Sequence, residues 1–151
     1  DWSSDVCSSD LESLLSNNFA GNKGHLIWPV EYGFVSQKFG KHWHPSVPGV
    51  EIDNIGIDIQ TRKNAQVRSV FDGKVLAIAN VPGMDKMVMV QHGEYFTVYT
   101  KISNVFVTSG QEIKRKDAIG VAVTNSEGVT EMQFQIWKNA EKLDPQLWIA
   151  K

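Results

Sequence analysis

The chain has 151 residues, 42% hydrophobic and 21% charged, with 15 Lys and Arg against 17 Asp and Glu, giving a formal charge of −2 at pH 7. That length allows one domain with an ordinary core. The near balance of charge disfavours a nucleic-acid partner, no apolar run approaches the ~18 residues of a membrane span, and a single cysteine, Cys7, allows no disulfide framework.

Asp1 to Leu11 back-translates, with permitted codons, to a common short-read sequencing adapter. Residues 1–11 are therefore read as translated adapter and set aside. Without Asp1, Asp5 and Asp10 the chain keeps 14 acidic residues against 15 basic ones, and its formal charge moves to about +1. Residues 12–24 continue a short amphipathic stretch, Leu11-Glu12-Ser13-Leu14-Leu15, and then turn to Ser, Asn and Gly. They read as the end of a helix and a linker, with the folded domain expected over 25–151.

From His25 onward the hydrophobic period is two. Phe34 to Phe39 is strand-like and stops at Gly40. Lys41 to Asp53 holds Pro45, Pro48 and Gly49 and is expected to be a loop. Asn54 to Gln60 is β-rich. Val67 to Val70 leads through Asp72-Gly73, a hairpin signal, into Lys74 to Ala79. Met87 to Gln91 ends at the turn His92-Gly93-Glu94, and Tyr95 to Thr100 returns. Ala118 to Val123 and Glu131 to Trp137 are two further strands. Asp144-Pro145-Gln146-Leu147-Trp148 reads as a closing turn with an aromatic anchor. Many short strands with glycine-bearing turns predict an antiparallel all-β domain.

Short pieces in a fixed order carry a family resemblance. They are Ile27-Trp28-Pro29-Val30, Phe39-Gly40, Gly56-Ile57-Asp58, Ala65-Gln66-Val67, Asp72-Gly73-Lys74-Val75, Val90-Gln91-His92-Gly93, Thr97-Val98-Tyr99, Gly110-Gln111-Glu112-Ile113, Ile119-Gly120, Phe134-Gln135-Ile136-Trp137 and Asp144 to Trp148. Together they resemble the lysostaphin-type (LytM) peptidoglycan metallopeptidases, most of all the EnvC-like murein hydrolase activators. The resemblance implies an antiparallel β-sheet sandwich of the LytM, duplicated-hybrid-motif type, with the helical stub as the end of an upstream coiled coil.

That family carries His-x-Gly-x-Asp, then His-Gly, Tyr-x-His and His-x-His-Phe. Residues two or four apart on a strand share a face, so these motifs converge on one ion. A catalytic zinc takes three protein ligands and keeps one open position. The residues matching the ligands are Asn54, Asp58 and Gln133, and those matching the water-orienting histidines are Lys101 and Glu131. Carboxamides are poor zinc ligands, and a lysine ammonium repels a divalent ion. The resemblance thus implies no catalytic residues, no bound zinc and no other cofactor.

Lys101 is expected to replace the lost cation by pairing with Asp58 and with Glu131. These five positions form the expected partner-binding groove, with Tyr95, Tyr99 and Trp137 as candidate lining or as core. His42-Trp43-His44 has ligand spacing but sits in the Pro/Gly loop and lacks a third ligand. His92 reads as structural, and His25 carries no signal.

The function implied is a non-enzymatic domain that binds and activates a cell-wall (peptidoglycan) amidase during septal or envelope remodelling, in the periplasm or cell envelope. Peptidoglycan itself is a second candidate partner; nucleic acid and a membrane span are not expected. The alternatives are an atypical zinc peptidoglycan endopeptidase and a passive peptidoglycan-binding module.

Overall fold

Residues 16–43, 48–82 and 85–150 are described by the computed structural model. Among them are twelve strands: β1 (Gly33–Gln37), β2 (Gly40–Trp43), β3 (Glu51–Asn54), β4 (Ile57–Thr61), β5 (Gln66–Arg68), β6 (Gly73–Val81), β7 (Asp85–His92), β8 (Tyr95–Val105), β9 (Glu112–Ile113), β10 (Ala118–Thr124), β11 (Thr130–Lys138) and β12 (Glu141–Leu143). One ten-stranded antiparallel sheet runs β1-β4-β11-β10-β8-β7-β6-β9, with β5 added on β10, β12 on β11, and β11 also pairing β8. The strands β2 and β3 form a separate two-stranded sheet. The antiparallel all-β class expected from the period of two is the class observed.

Alternation explains the core. Met132, Phe134 and Ile136 of β11 are fully buried, together with Ile57 and Ile59 of β4 and Val88 and Val90 of β7. Each such side chain stabilises the fold by roughly 1.5–3 kcal/mol when fully buried. The intervening β11 residues Glu131, Gln133 and Gln135 lie on the opposite face, as successive strand residues must, and these carry the polar chemistry. Gly56 lets the β3–β4 junction press against β11: a Cβ there would lie 2.3 Å from the Phe134 carbonyl oxygen. Gly93 takes a left-handed φ of 71° in the two-residue turn from β7 to β8, where His92 faces Tyr95. That is the hairpin which His92-Gly93-Glu94 predicts.

Several expectations change. The folded region does not begin at His25. Residues 16–21 are helical, and Phe19 is fully buried in the main core cluster. Its ring stacks on His92 and on Tyr95, each at 4.9 Å between centroids. The stretch expected as a loop over Lys41 to Asp53 contains the β2–β3 hairpin, from Gly40 opposite Asn54 to Trp43 opposite Glu51. Pro48 belongs to its connection, and 44–47, which include Pro45, lie outside the described residues. Asp72-Gly73 does not join a hairpin. The strand before it, β5, pairs β10, and β6 pairs β7 and β9. Gly73 is needed there because a Cβ would meet the Gln91 carbonyl oxygen at 2.5 Å. The closing turn is a 3₁₀ turn, Pro145–Leu147, whose cap Asp144 accepts from the Gln146 N–H. Trp148 follows it into the core.

Candidate functional site

The five positions expected to form the groove come together where β3, β4, β8 and β11 meet. Gln133 is opposite both Asp58 on β4 and Thr100 on β8. The side chains form two linked groups. In the first, Trp137 Nε1 donates to Gln135 Oε1 (2.9 Å), Gln135 Nε2 donates to Gln133 Oε1 (3.2 Å), and Gln133 Nε2 donates to Asn54 Oδ1 (2.9 Å). The Gly56 N–H also donates to Asn54 Oδ1, at 3.3 Å. In the second, Lys101 Nζ pairs with Glu131 Oε1 at 3.2 Å, and Ser36 Oγ donates to Glu131 Oε2 at 2.6 Å.

A bulge positions Lys101. Between Ile102 and Tyr99 of β8 the register to β7 shifts by one residue. Lys101 takes a φ of 64° there, a left-handed conformation that is unfavourable for an L-residue by roughly 1–2 kcal/mol. Extra residues of this kind re-aim side chains beside sites. The ion pair differs from the expectation in one respect. Lys101 contacts Glu131, and Asp58 has no ion-pair partner among the described residues. The second Glu131 oxygen is held by Ser36, which fixes the carboxylate on the Lys101 side.

Two buried atoms have no hydrogen-bond partner among the described residues, Asn54 Nδ2 and Asp58 Oδ1. An unmet buried donor or acceptor is unfavourable by about 1–3 kcal/mol. Burial pushes the Asp58 carboxyl above the ordinary carboxylate pKa. The Lys101 charge lowers it, Glu131 raises it, and the amides of Asn54 and Gln133 lower it, without cancelling the effect of burial.

Zinc does not fit this donor set. Of the three matching positions only Asp58 offers a customary zinc ligand. Asn54 Oδ1 and Gln133 Oε1 already accept hydrogen bonds within the ladder, and the Lys101 ammonium is paired on Glu131 beside them. Among the described residues no three His, Cys, Asp or Glu side chains gather in a ligating cluster.

The aromatic candidates divide. Trp137 is half-buried at the end of the amide ladder. Tyr95 and Tyr99 do not line the groove: both are buried in the core cluster, because they alternate with the cleft-side positions of β8. Tyr99's hydroxyl accepts from the Val70 N–H at 3.1 Å. His92 is fully buried. Its Nδ1 lies 2.7 Å from the Asp72 carbonyl oxygen and its Nε2 lies 2.8 Å from Thr97 Oγ1. Burial lowers its pKa to about 4, against the smaller opposing effect of Asp72. It is neutral and structural. His42 lies on β2, and His44 lies outside the described residues. Ser36, Thr100 and Gln135 join the site without having been expected; only Gln135, two residues from Gln133, was accessible from strand period.

Residues 53–145 match the model of Peptidase family M23. Over 144 residues the chain is 22% identical to the Murein hydrolase activator EnvC of Escherichia coli (strain K12), covering 93% of this chain and 33% of that protein. It is 32% identical over 99 residues to the Peptidoglycan DD-endopeptidase ShyB of Vibrio cholerae, covering 63% of this chain and 23% of that protein. The structure of Helicobacter pylori Csd3 superposes with a TM-score of 0.71 at 26% identity, covering 85% of this chain and 36% of that one. The chain therefore spans about a quarter to a third of these relatives' own lengths. A matched stretch of 93 residues that contains all five positions, set in an antiparallel sheet of the same architecture, places the chain in peptidase family M23.

Proposed function

We propose that this is a non-catalytic LytM-type domain that binds and activates a cell-wall amidase in envelope or septal peptidoglycan remodelling, on the periplasmic side. The observation that carries the reading is the 2.9 Å bond between Gln133 and Asn54. It joins, as two carboxamides, positions that the family resemblance assigns to zinc-binding imidazoles. Beside it the Lys101–Glu131 pair is partly exposed, and it is the part of the site that a protein partner can reach. Similarity to the Murein hydrolase activator EnvC supports the same reading. Activation requires that the domain bind the active form of the amidase more tightly than the inactive one.

The test combines purified sacculi, a zinc amidase and this chain. Amidase turnover should rise with the chain present, and Lys101→Glu, which reverses the charge at the partly exposed end of the site, should abolish the rise. Elemental analysis after dialysis against zinc should give well under one ion per chain. The second reading, an atypical zinc endopeptidase, draws on the 32% identity to ShyB. Cleavage of sacculi by the chain alone, with stoichiometric zinc lost on Asp58→Ala, would establish it instead. Sacculus binding without amidase activation would leave a passive binding module.

A further inference from the structure

At the far end of β4 from Asp58 lies a second concave site with a different character. It has a volume of about 500 Å³, and four cations line it: Arg62, Lys63, Arg68 and Lys116. Among the described residues the only carboxylate in its wall is Glu31. Among the described residues none of the four cations takes part in an ion pair, although the chain as a whole is nearly balanced in charge.

Two of the four cations, Arg62 and Arg68, are held in place by side-chain contacts. Arg62 lies over the Tyr32 ring, 4.1 Å from its centroid, a contact that fixes a guanidinium without neutralising it. Arg68 donates Nε to the Trp28 carbonyl oxygen at 3.0 Å, which orients the remaining fork of donors. Two tight turns form the rims. The first is closed by the Ala65 N–H on the Arg62 carbonyl and holds Asn64 at a φ of 62°. The second is closed by the Asp117 N–H on the Lys114 carbonyl and holds Lys116 at a φ of 77°. Asparagine tolerates the left-handed region, whereas lysine is disfavoured there. The carboxylate of Asp117 accepts from the Lys114 N–H at 2.8 Å, so it serves the turn's backbone. The rim thus places Lys116 beside a basic concavity whose cations have no ion-pair partner among the described residues.

We propose that this cleft binds a phosphate-class anion: a phosphoester presented on a small molecule or on a lipid headgroup. Arginine forks match the oxygens of a phosphate and lysines act as point charges around it. The volume suits a ligand larger than the bare ion. The proposal is independent of the amidase reading, because it uses none of the cleft residues Asn54, Asp58, Lys101, Glu131 or Gln133.

The experiment titrates the full chain with glycerol 3-phosphate, followed by calorimetry, and with phosphatidylcholine vesicles with and without phosphatidylglycerol, followed by co-sedimentation. Saturable binding to the soluble phosphoester alone assigns a free ligand, and binding that requires phosphatidylglycerol assigns a headgroup. In either case Arg62→Gln should weaken binding about tenfold, the scale of one charge-assisted hydrogen bond. Glu31→Gln should tighten it several-fold by removing the one repelling charge. Lys116→Gly is the decisive variant. Glycine takes the left-handed φ freely, so the melting temperature should hold or rise while affinity falls. Absence of saturable binding to both probes overturns the proposal, as does binding that ignores Glu31→Gln and Lys116→Gly.

Discussion

The strand β8 separates two polar networks of opposite design. Toward the core, His92, Thr97 and Tyr99 form a closed chain. Both histidine nitrogens have partners, and Thr97 Oγ1 lies 3.0 Å from the Tyr99 hydroxyl. Every group there is neutral at pH 7. Toward the cleft, two or more residues farther along β8, the network is open. It carries a charged pair, a left-handed lysine, and a donor and an acceptor with no partner. A buried network that is fully satisfied rigidifies a fold, and one that is partly satisfied is costly to keep. The same sheet thus carries a satisfied polar network on one face and, on the proposed reading, its recognition chemistry on the other. Changes to the closed face should unfold the protein, and changes to the open face should alter binding with little effect on stability.

The largest effect is expected at the lid of the closed network. Phe19 stacks on His92 and Tyr95 and lies 5.2 Å from the Trp148 ring. Phe19→Ala should destabilise by about 3–5 kcal/mol, as for other fully buried phenylalanines. Urea unfolding measures it. A loss below about 1 kcal/mol would mean that the helical segment 16–21 is not part of the folded unit.

Next comes acid. His92 titrates near pH 4 when folded, against about 6.5 in an unfolded chain. The unfolded state therefore binds the extra proton first, and stability falls as pH drops through that window. The contribution is fully present above pH 6.5 and on the order of 3 kcal/mol, from the size of the shift. His92→Gln should start less stable and lose less between pH 6.5 and 4. Parallel curves for the two proteins would assign the acid sensitivity elsewhere.

On the open face the effects shrink. Lys101 and Glu131 are 27% and 24% exposed, so their pairing contributes about 1 kcal/mol at most. Lys101→Met should lose that much. Lys101→Gly loses the same pair but relieves the left-handed backbone, which offsets roughly 1 kcal/mol, so its stability should stay near that of the native chain. Equal losses in both variants would show that the bulge is unstrained.

The contrast also explains what the sequence made legible. Strand period and turn residues located most strands, the β7–β8 hairpin and the closing turn, because these depend on neighbours along the chain. The order of short pieces pointed to the family, and through it to the residues that meet in the cleft. Four things depended on long-range partners. Phe19 reads as linker until the pocket formed by His92, Tyr95 and Trp148 is known. The stretch 41–53 reads as loop because its prolines mask a hairpin. Ser36 has no signal at all, since its partners lie on β4 and β11. Tyr95 and Tyr99 were ambiguous between groove and core, and the alternation of β8 decides for the core.

The smallest effect has the most diagnostic sign. Asp58 is held above its ordinary pKa chiefly by burial, so the folded chain binds its proton more tightly than the unfolded chain does. Between the ordinary carboxylate pKa and the raised folded value, stability falls as pH rises. Above that window the full unfavourable effect of the buried charge is present. Asp58→Asn removes it and should stabilise the protein at pH 7 by roughly 1 kcal/mol or less, because the residue is only partly buried and solvent screens the charge. The gain should vanish as pH falls to the ordinary carboxylate range, where Asp58 is neutral in both states. The His92 transition affects native and variant chains alike, so the difference between their stability curves isolates Asp58. In Lys101→Met the carboxyl should move higher still, since the largest opposing charge is gone, and the gain from Asp58→Asn should then be larger. A clear loss on Asp58→Asn at pH 7 would show that the carboxylate already has a stabilising partner in the folded chain, and the cleft would have to be regrouped with the closed network.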